Sequence, residues 1–193
     1  MSEPMTVITD YILGAVTAYL GWRLFKRRAA ERSRRWWSHA FVALALGAFL
    51  GGTWHGFARN DWLWKATLFT VGIAGSAMMI ATAFATLPAR ARATVIGVAA
   101  AMLLLYSGWV MVDDRFIVVV ADTAIAFALV AALHLWKWNG AILAGVAVSL
   151  VAALVQASGF ALHPHFNHND LYHVIQIGAM LFFYRGARAL RDA

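Results

Sequence analysis

Seven long apolar runs restrict this chain to the folds that a lipid bilayer accepts. A helix that crosses a bilayer needs about 20 mostly apolar residues. The runs of this length are roughly Thr6–Phe25, Trp37–Phe57, Trp62–Leu87, Ala93–Val112, Phe116–Trp136, Gly140–Leu162 and Leu171–Leu190. They are continuously apolar, whereas the strands of a membrane barrel alternate apolar and polar residues. We therefore predict an all-α protein, a seven-transmembrane helix bundle that forms a single domain over residues 1–193.

Composition agrees with a membrane protein. Hydrophobic residues make up 62% of the 193 residues and charged residues only 13%, which is far more apolar than a soluble domain. Cysteine is absent, so disulfides and thiolate metal ligands are excluded. The net charge of +7 does not indicate a nucleic-acid partner, because the basic residues lie in short runs between apolar segments. We expect an integral protein of the bacterial inner membrane, and the sequence leaves its oligomeric state open.

The basic runs give the chain a predicted direction. They fall at alternate joints and at the end of the chain: Lys26, Arg27, Arg28, Arg32, Arg34 and Arg35, then Arg90 and Arg92, then Lys137, and finally Arg185, Arg188 and Arg191. Short loops rich in Lys and Arg stay in the cytoplasm. The pattern therefore predicts an N-terminus outside and a C-terminus in the cytoplasm.

Polar residues gather toward the predicted outer end of the bundle. Ionisable groups inside a membrane are costly unless they pair, bind an ion or take part in chemistry. The members of this set are Asp10, His55, Lys65, Tyr106, Ser107, Asp122, Gln156, Ser158, His168, Asn169, Asp170, His173 and Gln176. Their convergence predicts a polar cavity inside the bundle that faces the extracytoplasmic side.

The histidines in this set suggest a metal site. A catalytic zinc ion is held by three protein ligands and a water molecule. His55 and His173 are the best candidate ligands, and His168 is the third. Asp170 lies three residues before His173 on the same helix face, so it could be a ligand or could accept a hydrogen bond from an imidazole. Calcium near Asp10 is an alternative, because carboxylate oxygens suit it.

Each candidate also has a structural interpretation. Asp170 could stabilise the first turn of the seventh helix through the helix dipole. Asp10 could cap the first helix, and Lys65 could extend toward water along neighbouring tryptophans. A histidine at a helix end could simply contact water and lipid headgroups.

Two of these segments resemble the CREST superfamily of seven-helix membrane hydrolases, which includes alkaline ceramidases, adiponectin receptors and hemolysin III-like proteins. His55 resembles the family's helix-two histidine, and Leu171-Tyr172-His173-Val174 resembles the second half of its helix-seven histidine pair. Asn169 stands where that pair has its first histidine, and His168 precedes it. The resemblance implies a zinc-activated water that hydrolyses the amide of a ceramide-type lipid.

Two classes of function follow from these residues, and a bound haem held between His55 and His173 is a third alternative. The first is a zinc-dependent hydrolase of a membrane lipid amide or ester, with His55, His168 and His173 as metal ligands. In this class Asp10 or Asp170 would accept or orient the water proton, and Lys65 or Tyr106 would stabilise the oxyanion. The second is a non-enzymatic ion or proton carrier, or a ligand sensor, that uses buried Asp, His and Lys residues.

Overall fold

The structure is a computed structural model that describes residues 3–26 and 31–193. Within that part of the chain it contains seven α-helices. Their bounds are α1 Pro4–Lys26, α2 Arg32–Gly56, α3 Asp61–Thr86, α4 Ala89–Val112, α5 Phe116–Trp136, α6 Gly140–Ser158 and α7 His168–Ala187. The all-helical prediction is confirmed. Arg27 and Arg28 of the first basic run lie outside the described residues.

Side-chain caps fix several of the helix ends. Asn60 accepts hydrogen bonds from the N–H groups at the start of α3, and Asn139 does the same for α6. Asn167 caps α7 in a reciprocal capping box with Asp170. Gly159 ends α6 in the left-handed region at φ 69°, which a residue without Cβ adopts at little cost.

The helix ends differ from the apolar runs in the polar regions. The predicted sixth segment continued to Leu162, but α6 stops at Ser158 because the chain turns at Gly159. The predicted seventh segment began at Leu171, but α7 begins three residues earlier at His168 because Asn167 caps it there. His168 is therefore part of the first helical turn.

Six of the helices form a closed ring, in the order α1, α2, α3, α5, α6 and α7, with α7 returning to α1. The helix α4 packs mainly on the outer side of α3 and touches α5. The contact between α5 and α6 is the weakest between neighbours along the ring. A ring of this kind leaves space at its centre, and that space contains the candidate site.

Four helices are long and apolar enough to cross a membrane, namely α3, α4, α5 and α6. The other three helices are less apolar, and in α1 and α7 polar side chains point into the bundle. Thr6, Thr9, Asp10 and Thr17 are buried on α1, and Asp170 and His173 are buried on α7.

The basic end of the bundle is held together by the C-terminal residues. Asp192 accepts hydrogen bonds from the backbone N–H groups of Arg32 (2.7 Å) and Ser33 (2.9 Å), which are the first residues of α2. Glu31 in turn accepts one from the N–H of Asp192, at 2.6 Å. A carboxylate from a distant part of the chain therefore caps α2, where the helix dipole favours negative charge.

Candidate active site around Asp10 and His173

A buried carboxylate and a buried imidazole meet between the first and last helices. Nε2 of His173 lies 3.1 Å from Oδ1 of Asp10. Asp10 is only 5% exposed and His173 only 7%. The other ring nitrogen of His173, Nδ1, lies 2.9 Å from Oγ1 of Thr9.

The hydrogen bonds of Thr9 determine the state of this imidazole. The Thr9 hydroxyl donates to the backbone carbonyls of Met5 and Thr6, each at 3.1 Å. Its oxygen is then left to accept, so Nδ1 of His173 is assigned as the protonated nitrogen. In a neutral ring Nε2 therefore directs a lone pair at the Asp10 carboxyl group. Two lone pairs at 3.1 Å repel each other, so a proton or a metal ion must lie between Asp10 and His173.

A second carboxylate, Asp170, ties α7 to α1. Its Oδ1 accepts the hydroxyl of Thr6 at 2.8 Å, and its Oδ2 accepts the backbone N–H of Asn167 at 2.7 Å. Both oxygens are thus used to form the cap of α7 and to hold the two helices together. In this geometry Asp170 positions His173, which lies one turn further along α7.

His55 approaches the same region from the end of α2. Its Nδ1 lies 3.0 Å from Oε2 of Glu3, and Oε1 of Glu3 accepts a hydrogen bond from Arg59 at 2.7 Å. A carboxylate on Nδ1 is the usual way of presenting Nε2 of a histidine to a metal. His55 is half-buried.

These residues border a central cavity of about 310 Å³. Every helix of the ring contributes to its wall, and among the described residues α4 contributes none. The polar lining residues are Asp10, Thr17, His55, Thr67, Gln156, His168, Asn169, Tyr172, His173 and Gln176. The described lining residues include no Lys or Arg, so the cavity wall favours cationic or neutral groups.

A second, more apolar cavity of about 130 Å³ adjoins the first. The residues that border both are Leu44, Val71, Phe116, Tyr172 and Gln176. The second cavity also reaches Ala124 on α5 and Leu150 on α6, which are exposed on the outer surface of the bundle. An apolar cavity therefore lies beside the central cavity and extends toward the α5–α6 side.

Some predicted site residues lie elsewhere. Lys65 donates to the backbone carbonyl of Met111 at 3.3 Å and lies over the ring of Trp62, so it faces the end of α4. Tyr106 donates to the carbonyl of Leu68 at 2.9 Å, between α3 and α4. Asp122 lies on α5 next to Gly75. None of the three is among the described residues that line the central cavity.

The structure brings together part of the predicted metal site. His55, His168 and His173 border the same cavity, and Asp10 joins His173 directly. Within residues 3–26 and 31–193, however, no group of three or more His, Asp or Glu side chains is placed closely enough to hold a metal ion. The observed core of the site is a pair.

Sequence reasoning did not identify Thr6, Thr9 or Glu3 as part of the site. Thr6, Thr9 and Asp10 are spaced three and one residues apart, which places them on one helical face. Polar residues repeated on one face of an otherwise apolar helix are a readable signal of contact with another polar helix.

The fold and site define a helical bundle with a buried Asp–His pair that borders a central cavity. The chain belongs to a family described as "Family of unknown function (DUF6962)", whose model matches residues 5–192. No curated protein matches the chain. No solved structure matches it either.

Proposed function

We propose that the protein is a membrane-embedded hydrolase that cleaves the amide or ester bond of a lipid, with Asp10 and His173 as its reacting groups. The observation that carries this proposal is the 3.1 Å contact between Asp10 Oδ1 and His173 Nε2 on the wall of the central cavity. A carboxylate–imidazole pair that holds a proton or a cation can activate a water molecule.

A membrane location and seven spans belong to the same proposal. The apolar helices α3, α4, α5 and α6 are long enough to cross a membrane. The helices α1, α2 and α7 pack beside them and have a comparable or greater length. The surface of α4 supports contact with lipid, since Leu104, Leu105 and Val112 are 74%, 75% and 90% exposed. The placement of the basic runs favours an outside N-terminus and therefore a site near the extracytoplasmic face.

The apolar cavity beside the central cavity supports a lipid substrate. An acyl chain could lie in the apolar cavity that reaches the α5–α6 side, while the scissile group sits near His173 and Gln176. Gln176 donates to the hydroxyl of Ser149 at 3.1 Å, and its Oε1 is buried without a hydrogen-bond partner in the described residues. That oxygen is an acceptor for a substrate N–H or O–H group.

Zinc remains part of the proposal, and the donor types fit it. In a tetrahedral zinc site with bonds of about 2.0–2.1 Å, two ligand atoms lie about 3.3 Å apart, close to the separation of Asp10 Oδ1 and His173 Nε2. His55 or His168 would supply a third ligand from the same cavity wall. Bound zinc would lower the pKa of a water molecule. Calcium would instead favour Asp10 with backbone oxygens.

The residues of the chain would then act in a simple order. The shared proton or cation stays with Nε2 of His173, and Oδ2 of Asp10, the carboxylate oxygen that does not contact His173, accepts a proton from the water. The oxygen of that water molecule bonds to the lipid carbonyl carbon as the proton leaves. The bond from that carbon to the amide nitrogen or ester oxygen then breaks, and the same proton passes to the leaving amine or alcohol. Thr9 holds the His173 ring in one tautomer throughout, so the nitrogen facing the reaction does not change.

The carrier alternative has less support from the geometry. A proton path through Asp10, His173, Lys65 and Asp122 requires those groups to be adjacent. Lys65 faces the end of α4 and Asp122 lies beside Gly75, so both are away from the central cavity. The Asp–His pair alone is a site for one proton and not a path.

The test is hydrolysis by the purified protein in a neutral detergent, on a panel of N-acyl sphingoid lipids and acylglycerol esters. We expect turnover by the wild-type chain and a loss of at least about 100-fold in Asp10→Asn and in His173→Gln. Asp122→Asn is the matched control, since it removes a helical carboxylate outside the cavity, and it should retain turnover. Chelation followed by zinc addition tests the metal.

The outcomes of this assay distinguish the hydrolase, its zinc requirement and the carrier. Absence of turnover on the whole panel would reject the hydrolase, as would unchanged rates in both site variants. Turnover that survives chelation would keep the Asp–His pair and reject the zinc. Proton flux through liposomes that needs Asp10, without any hydrolysis, would support the carrier instead.

A further inference from the structure

A separate cavity lies at the opposite end of the bundle from Asp10 and His173. It has a volume of about 420 Å³ and is formed by the ends of α3 and α5, the start of α6 and the segment after α7. Its lining residues include His134, Lys137, Trp138, Asn139, Gly140 and Arg191. The proposed hydrolysis uses none of them.

The charged side chains on the wall of this cavity are all basic. Lys137 and Arg191 line it, and its described lining residues include no Asp or Glu. Nζ of Lys137 lies 4.7 Å above the ring of Trp136. In the described part of the chain neither cation has a carboxylate within salt-bridge distance. Two cations without a counter-charge at the rim of a cavity favour an anionic ligand.

A buried histidine on the wall of this cavity has a ring nitrogen without a hydrogen-bond partner among the described residues. His134 is 0% exposed, and its Nε2 lies 3.3 Å from Oγ1 of Thr82. Its Nδ1 is buried with no hydrogen-bond partner among the described residues. When the Thr82 hydroxyl donates to Nε2, Nδ1 carries the ring proton and is a donor that lacks an acceptor. A buried donor left in this state is destabilising, so it is an exception that a ligand oxygen would remove.

The first turn of α6 adds further donors. The side chain of Asn139 accepts the N–H of Ile142, while the earliest N–H groups of a helix have no partner within it. A Cβ atom on Gly140 would meet nothing within 4 Å, so the helix start is open on that side. The positive end of the helix dipole points to the same space as the two cations.

We propose that this cavity binds a phosphate-type oxyanion, held by Lys137, Arg191, the Nδ1–H of His134 and the start of α6. The oxyanion has two possible sources, the phosphate of an anionic lipid headgroup and free phosphate. Trp136 and Trp138 are 63% and 84% exposed beside the cavity, and exposed tryptophans are typical of the membrane–water interface. Both a lipid headgroup and free phosphate reach a cavity at the membrane–water interface.

The test is calorimetric titration of the purified full-length chain in a neutral sugar detergent. One arm uses inorganic phosphate, and the other uses a short-chain phosphatidic acid, with the matching short-chain diacylglycerol as a lipid that lacks phosphate. We expect saturable binding of at least one phosphate probe and none of the diacylglycerol. The double variant Lys137→Gln/Arg191→Gln should weaken binding at least about 10-fold.

Arg90→Gln is the matched control, because Arg90 is an exposed cation at the same end of the bundle that does not line the cavity. His134→Leu should also weaken binding, and the surface double variant keeps the test valid if the core variant fails to fold. Equal losses in the control and the double variant would show nonspecific charge attraction and overturn the proposal. Absence of binding in both arms would do the same. Binding in one arm alone identifies the source.

Discussion

The Oγ1 atom of Thr9 on α1 and the Nδ1 atom of His173 on α7 are 2.9 Å apart, and this contact is the basis for assigning the ring proton to Nδ1 and leaving Nε2, which faces Asp10, without one. Because the Thr9 hydroxyl hydrogen is directed at the carbonyls of Met5 and Thr6, we assign Thr9 as the acceptor of the imidazole N–H. The Thr9 hydroxyl, which does not face the substrate, thus determines the protonation of the Asp10–His173 pair, which does.

Thr9→Val should therefore reduce function while leaving the reacting groups in place. The change leaves Nδ1–H of His173 buried without an acceptor, and it frees the ring to adopt the other tautomer or to rotate. Loss of such an orienting partner typically costs about 10–100-fold in metal affinity or activity. We expect a fall of that size in the hydrolysis rate at saturating lipid and in the affinity for zinc.

The control is Thr17→Val, two turns further along the same buried face of α1. Oγ1 of Thr17 is buried without a hydrogen-bond partner in the described residues, so an isosteric methyl group removes no contact. We expect unchanged or slightly higher thermal stability. Because Thr17 lines the central cavity but forms no hydrogen bond with Asp10 or His173, we expect a smaller loss of rate than in Thr9→Val. A Thr9→Val protein as active as wild type would show that the tautomer is not fixed by Thr9.

The sequence identified residues of the site but not which of them are in contact. His55, His168, His173 and Asp10 were all expected near one end of the bundle, and all four border one cavity. Residue spacing shows which side chains share a face of one helix. The rotation of α1 relative to α7, however, depends on packing between distant segments. For that reason Asp10 could be predicted near the site, whereas its contact with His173 could not.

The limits of sequence reasoning at the helix ends have a different cause. Hydropathy identified α5 to the residue, Phe116–Trp136, because loop residues bound it on both sides. It missed the start of α2 at Arg32 by five residues, since charged residues can occupy a helical turn outside the apolar region. A cap supplied by Asp192, 160 residues away, has no local signature.

Gly145→Ala should destabilise the contact between α6 and α7. A Cβ at Gly145 would lie 2.5 Å from Cδ1 of Phe183, a fully buried ring that also packs on Trp37. Inserting a methyl group into such a close contact costs about 1–3 kcal/mol because neighbours must move off their preferred rotamers. We expect a lower melting temperature in detergent.

Gly97→Ala on α4 is its control. A Cβ there would meet nothing within 4 Å, and alanine favours a helix over glycine by about 0.8–1.0 kcal/mol in water. The melting temperature should stay the same or rise. Equal destabilisation by both substitutions would contradict the close approach of α6 and α7.

Single cysteines can test the direction of the chain, because the protein has none of its own. Ser158 and Ala89 are exposed residues at opposite ends of the bundle, near the end of α6 and the start of α4. With an outside N-terminus, a membrane-impermeant maleimide should label Ser158→Cys in intact cells. It should label Ala89→Cys only after permeabilisation. The reverse pattern would contradict the orientation and move the proposed site to the cytoplasmic side.

The cap that Asp192 provides for α2 should make stability depend on pH in a defined direction. Partial burial alone would raise the pKa of this carboxyl group, but hydrogen bonds from Ser33 and Arg32 hold its pKa below the ordinary value of 3.8. A lowered pKa in the folded state stabilises the fold above the ordinary value, and this stabilisation disappears as the pH falls through the lowered one.

Asp192→Ala should cost about 1 kcal/mol at neutral pH, the usual value of a helix N-cap, and Asp192→Asn should recover part of it. Melting curves of wild type and Asp192→Ala should therefore differ at about pH 7, begin to converge at about pH 4 and meet only below the lowered pKa of Asp192. Asp113→Ala is the control. The pKa of Asp113 is also low, about 2, because Arg115 donates hydrogen bonds to it, but this carboxylate forms a surface ion pair and does not cap a helix N-terminus. Exposed pairs contribute little to stability, so a pH-dependent loss as large in this control would show that capping of α2 is not the cause.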